Sequence, residues 1–143
     1  MRVFGSIVIA FGMLAGEMVV PATSQEQGSK ISRVQVEQVF DQLRARTPWN
    51  IEGPLTWGFF FTSFSKKSLE DAAKLLDQKG YRFVEIRPNE RRSQTDPEFW
   101  WLHVERFEIH TVDSLDKRNQ ELNTFAQSQN LRSYDGMDVG PAP

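Results

Sequence analysis

Apolar residues recur along this chain with two different periods, and the order in which the periods change specifies an architecture. From Ile31 a helical spacing sets in, with Val36, Val39, Phe40 and Leu43 on one face. Ser32 followed by Gln35 reads as a capping box, Arg44 and Arg46 suit the last turn, and Thr47-Pro48 stops the helix. Leu55 to Phe64 (LTWGFFFTSF) is aromatic, β-branched and free of charge, as a central strand requires. Ser65 or Ser68 then caps a helix with Leu69, Ala72, Ala73 and Leu76 inward, ended by Lys79-Gly80. Tyr81 to Arg87 forms a second strand, and Asn89 to Pro97 is a polar loop. Glu98 to His110 forms a long third strand. Thr111, Asp113 or Ser114 opens a helix that turns Leu115, Leu122, Phe125 and Ala126 inward. Arg132 to Val139 closes the series as a short strand with a turn at Asp135-Gly136. Between Thr56 and Gly140 the order is β-α-β-β-α-β, which predicts an α+β sandwich of two helices on one face of a four-stranded sheet. The helix from Ile31 is an addition to it.

Strand alternation assigns side chains to faces. Val84 and Ile86 share one side of the second strand, opposite Tyr81, Phe83 and Glu85. In the third strand Trp100, Leu102 and Val104 oppose Phe99, Trp101 and His103. The apolar phase then flips to Phe107 and Ile109, which predicts a bulge near Glu105-Arg106. An aromatic strip of Tyr81, Phe83, Phe99 and Trp101 falls on the face away from the two sandwich helices. The expected cover for that strip is the N-terminal helix, because large apolar patches are uncommon on monomers. A docking surface for a partner is the alternative.

The first residues differ in character from the rest. Arg2, the charge-free stretch Val3 to Gly16 and Val20-Pro21-Ala22 read as a secretory signal peptide over residues 1–22, cleaved after Ala22. An uncleaved anchor, or a misassigned start on a cytoplasmic protein, are the other readings. Residues 23–30 (TSQEQGSK) form a disordered linker, and residues 31–143 are one domain. No membrane association is expected once the leader is removed. The net charge of -2 gives no global attraction to nucleic acid. Zero cysteine excludes disulfides, thiolate metal sites and a cysteine nucleophile.

Candidate chemistry is sparse. His103 and His110 lie on opposite faces by strict alternation, and a metal there would need carboxylates such as Glu105 or Glu108. Glu85, Glu105 and Glu108 resemble paired acid–base carboxylates only if neighbouring strands bring them together; solvation of a strand surface explains them equally. No nucleophile elbow, phosphate loop or dinucleotide fingerprint occurs. The reading is therefore no enzyme and no cofactor. Sheet-face aromatics on a βαββαβ unit also suit an RRM-like RNA-binding module, yet EFWWLHVERF lacks the basic-Gly-aromatic setting of that platform.

Four segments carry a family resemblance: GPLTWGFFFTSF, LLDQKGYRFVEIR, EFWWLHVERFEIHTVDSLD and the terminal YDGMDVG. Their order and spacing resemble the regulator of ribonuclease E activity B (RraB) family from about Gly53 to Gly140. The resemblance implies a ferredoxin-like βαββαβ sandwich without catalytic activity. It also implies a protein partner, ribonuclease E, whose scaffold region the family's named members bind. Tyr134, Asp135 and Gly136 match the family's Tyr-Asp-Gly turn, and Met137 stands where Trp is common. An exported chain would instead meet an unknown envelope protein, in the periplasm or outside the cell, because ribonuclease E is cytoplasmic. The expected partner-binding surface joins Trp101, Glu105, Glu108, Tyr134, Asp135 and Asp138, aromatic anchors beside acidic groups suited to a basic segment.

Overall fold

The computed structural model describes residues 7–9 and 31–143. Capping chemistry sets the helix boundaries much as the sequence predicts. Helix α1 (Arg33–Arg46) starts at Ser32, whose hydroxyl accepts from Gln35 N–H at 3.2 Å while the Gln35 side chain accepts from Ser32 N–H. Helix α2 (Lys66–Gln78) is capped by Ser65, and Gly80 at φ 97° terminates it in a conformation costly for other residues. Helix α3 (Val112–Ser128) is capped by Thr111 in a reciprocal box with Ser114.

The strands are β1 (Ile7–Ile9), β2 (Leu55–Ser63), β3 (Arg82–Pro88), β4 (Trp100–Glu108) and β5 (Ser133–Gly140). They form one antiparallel sheet in the order β1-β5-β2-β4-β3. The four strands from β2 onward make the ferredoxin-like βαββαβ sheet, with β2 and β4 central and β3 at one edge. Three residues of the expected leader, Ile7–Ile9, pair with Val139 to Met137 of β5; the rest of the leader and the linker lie outside the described residues. Among the described residues, no helix is long and apolar enough to cross a membrane.

Register fixes the two faces. Trp57, Phe59 and Phe61 of β2 align with Leu102 and Val104 of β4 and with Met137 and Val139 of β5, all buried beneath the helices. Leu69, Ala72 and Leu76 of α2 and Leu115, Leu122 and Ala126 of α3 pack down on them.

The extra helix corrects one expectation. It does not cover the opposite face; α1 packs beside α3 on the same side, with Phe40 against Trp57 at 5.9 Å. Burying Val36, Val39, Phe40 and Leu43 stabilises this placement by about 1.5–3 kcal/mol per side chain. The Arg33–Asp113 ion pair at 2.5 Å is exposed and screened by solvent, so apolar burial decides where α1 sits.

Bulges differ from expectation too. β4 runs in unbroken register against β2 from Trp100 to Glu108, with no bulge at Glu105-Arg106. The irregularities lie between Phe83 and Glu85 of β3, and in β5 where Asp135 is the extra residue opposite Phe60 and Phe61. Asp135-Gly136 is thus a bulge inside a continuous strand, with Gly136 at φ 135°, and not a turn.

Candidate functional site

Unbroken alternation in β4 carries Arg106 and Glu108 onto the helix face, where they close the end of the core. Glu108 accepts from Arg118 Nη1 and from His110 Nε2, each at 2.6 Å, and pairs with Arg106 at 3.0 Å. His110 lies edge-on to Trp57 at 5.4 Å, and its Nδ1 is 2.8 Å from Ser114 Oγ. Burial pushes the Glu108 carboxyl upward, but the hydrogen bonds from His110 and Arg118 outweigh it and leave the group below its ordinary value. Ser114, His110 and Glu108 have the residue types of a hydrolytic triad. Ser114 Oγ, however, accepts the Thr111 N–H at 2.8 Å as part of the helix cap. The array is a charged seal on an apolar layer.

Tyr134 is also on the helix face. Aligned with Phe61, it is 4% exposed, and its hydroxyl donates to Asn119 Oδ1 at 2.6 Å. Burial drives its pKa well above the ordinary tyrosine value. Asp135, at the bulge, is half-buried; burial raises its carboxyl, offset in part by Arg132 and a hydrogen bond from Ser133.

The opposite face holds the other three expected residues. Glu105 and Asp138 flank Gly58 from the two neighbouring strands, and His103 aligns with Phe60 in the next row. A Cβ on Gly58 would run into Asp138 Oδ1 and come within 2.6 Å of His103 Nε2, so glycine is what lets these side chains cross the central strand. Phe60 stacks on His103 at 4.3 Å, and His103 Nε2 is 3.9 Å from Asp138 Oδ1. Glu105, only 5% exposed, is ion-paired to Arg82.

Toward the end of this face aromatic rings alternate with guanidinium groups. Trp101 donates Nε1–H to Asn89 Oδ1 at 2.9 Å, and Arg87 lies over its ring at 5.6 Å. Arg132 stacks on Phe99 at 4.1 Å and reaches Phe64, which is 66% exposed. Trp and Arg desolvate well against a partner and dominate interface energetics.

The six expected residues therefore do not form one surface. Trp101, Glu105 and Asp138 share the face without helices, whereas Glu108 and Tyr134 point under the helices and Asp135 sits at the bulge. The aromatic strip divides as well. Tyr81 is buried against Phe59, Phe83 aligns with Val104 on the helix side, and only Phe99 and Trp101 reach the other face. Phe64 and Arg132 escaped the sequence reading because one sits beyond a strand end and the other in a loop. The exposed apolar residue that ends LTWGFFFTSF was the available signal. Among the described residues, no three His, Asp or Glu side chains gather as a metal set.

A family model described as "Regulator of ribonuclease activity B" matches residues 34–139, covering all but the first residue of α1 and the βαββαβ unit up to the next-to-last residue of β5. A comparison with curated proteins returned no match.

Proposed function

The chain belongs to the regulator of ribonuclease activity B family, and from that premise we propose that it acts without catalysis of its own, docking on a protein partner and altering what that partner does. The match across residues 34–139 carries this reading. The surface that suits it is the corner formed by Phe64, Trp101, Arg87 and Arg132, where rings and guanidinium groups stand together at the end of the sheet. Binding there occludes the partner's own contacts, a mechanism that needs a preformed surface and no reacting group.

The leader decides the partner. With residues 1–22 removed on export, the chain meets an envelope or secreted protein; retained in the cytoplasm, it meets the scaffold region of ribonuclease E. Cell fractionation separates the two locations. The docking test is capture of the ribonuclease E scaffold region, or of the envelope partner, by the purified chain and by Trp101→Ala and Arg132→Ala variants. Loss of about 2 kcal/mol of binding per variant, roughly thirtyfold, is expected of an anchor residue. Unchanged capture by both variants would remove this surface from the proposal.

RNA binding is the second reading, favoured by one placement. Phe60 and Trp101 stand on the first and third strands of the βαββαβ unit, on the face without helices, as base-stacking aromatics do in an RRM. Glu105 and Asp138 on the same face oppose phosphate. Submicromolar RNA affinity that falls steeply with salt would put this reading first.

A further inference from the structure

Beyond the corner described above, the β3 edge presents main-chain groups of its own. No strand pairs with its outer side among the described residues, and of Arg82–Pro88 only Ile86 is half-buried, the rest exposed. A groove of about 780 Å³ runs between this strand and α2. Its floor is apolar, made by Phe83, Val84 and Ile86 with Ala73 of α2.

Edge strands are commonly blunted by charge, proline or a bulge. Here the charges of the strand lean to one side, although Glu85 also borders the groove. Arg82, Glu85 and Arg87 align with Glu105, His103 and Trp101 on the face without helices. The bulge between Phe83 and Glu85 keeps both Phe83 and Ile86 on the helix side, aligned with Val104 and Leu102. The floor on the groove side of the edge, Phe83, Val84 and Ile86, is thereby left apolar and open, with Glu85 at its border.

We propose that this edge accepts an extended segment of a protein partner as an added antiparallel strand, with apolar side chains at alternate positions filling the groove. The proposal rests on the docking reading and supplies its binding mode. The charges at the groove ends orient the segment. Lys66, at the start of α2, lies over the Trp100 ring at 5.2 Å, and Trp100 is the partner of Pro88 at the end of β3. Asp77 lies at the other end of the groove, where Tyr81 N–H donates to Leu76 O at 3.0 Å and ties the start of β3 to the end of α2. The helix dipole adds to both ends with the same sign. Between them Glu70 and Lys74 are spaced one turn apart and offset each other. An antiparallel segment therefore carries an acidic residue at its amino end and a basic one at its carboxyl end. A second copy of this chain complements poorly, because the fullest two-fold register sets Glu85 against Glu85.

The probe is a synthetic peptide of alternating valine and threonine with glutamate at its amino end and lysine at its carboxyl end, compared with its charge-swapped twin. Amide exchange on the full chain should slow in β3 with the first peptide. The twin should bind roughly threefold to tenfold more weakly. Phe83→Lys should abolish binding, and the double variant Lys66→Glu/Asp77→Lys, which leaves the floor intact, should invert the preference between the peptides. Protection mapping to the Trp101 face, or equal affinity for the twins, overturns the proposal. If the wild-type chain and Phe83→Lys capture the ribonuclease E scaffold region equally, the edge is refuted while docking stands. Should the wild-type chain capture nothing while the peptide still protects β3, the edge stands and that partner falls.

Discussion

From β2, Trp57, Phe59 and Phe61 point into a layer of three helices, while Gly58, Phe60 and Thr62 of the same strand point to a face that carries none of them. The first set packs apolar against apolar, and the charged β4 residues on its side, Arg106 and Glu108, sit at the rim with their partners. The second set alternates small and large. Glycine at 58 makes room for His103 and Asp138, and Thr62 and Ser133 hydrogen-bond each other at 2.6 Å. One face is built for burial, where volume matters most. On the other, aromatic rings, carboxylates and guanidinium groups are held close together, which suits recognition.

The largest test of that contrast is Phe59→Ala. Phe59 is fully buried, and its loss leaves a cavity between Tyr81, Val104 and Met137. A loss of about 3–5 kcal/mol is expected in denaturant unfolding. A loss below 1 kcal/mol would mean that the helix layer is not packed as described.

Next is the charged seal. Glu108→Gln keeps an acceptor but loses the ionic part of the bonds from Arg118 and His110, costing about 1–3 kcal/mol. Its pH signature has a definite sign. Glu108 titrates below its ordinary value near 4.5, so its contribution is fully present above that value and is lost as pH falls through the lower folded value. Asp135 runs the other way. Its raised carboxyl favours the fold below the ordinary value near 3.8, and that contribution is lost as pH rises through the folded value. Melting temperature against pH should therefore lose part of its acid slope in Glu108→Gln, since Asp71 and Asp96 are also held below their ordinary values, whereas Asp135→Asn should make it steeper. Parallel curves for wild type and Glu108→Gln would refute the seal.

The seal also explains what the sequence could and could not disclose. Helix limits were legible because caps are local: Ser32 with Gln35, Ser65, Thr111 and Gly80 act within one turn. Strand order followed from the alternation of periods and from the resemblance to the family. Facing was harder. The bulge expected at Glu105-Arg106 would have put Glu105 and Glu108 on one side, whereas straight alternation over three residues separates them. The bulge in β3 falls where the apolar phase steps from Tyr81 and Phe83 to Val84 and Ile86, a step that strict alternation reads as two opposite faces. The bulge in β5 carries no such mark, and neither Phe83 nor Tyr134 could therefore be placed on the helix side from sequence. The side on which α1 packs was equally hidden, because β2 is free of charge on both faces and neither is marked against a helix. Charge reversal at Glu105 or Glu108 destabilises the fold, since both carboxylates hold arginines.

Gly58→Ala tests the recognition face by crowding. The added methyl meets Asp138 and His103, and a cost of about 1–2 kcal/mol is expected. Removing the obstruction in Gly58→Ala/Asp138→Ala should recover part of that loss, so the pair should be non-additive by more than about 0.5 kcal/mol. Simple additivity would mean that the two side chains do not meet over the central strand.

The smallest stability effect belongs to Phe64→Ser. The ring is 66% exposed and meets Phe99 and the stacked Arg132 at the surface, so unfolding free energy should change by no more than about 0.5 kcal/mol. Partner capture should nonetheless weaken, because an exposed aromatic beside arginine gains its energy when a partner excludes water from it. The helix face predicts the reverse pattern, in which a change large enough to alter binding also alters folding. Equal small effects of Phe64→Ser on stability and on capture would leave the two faces energetically alike at this corner, and the contrast drawn from their packing would fail where it is sharpest.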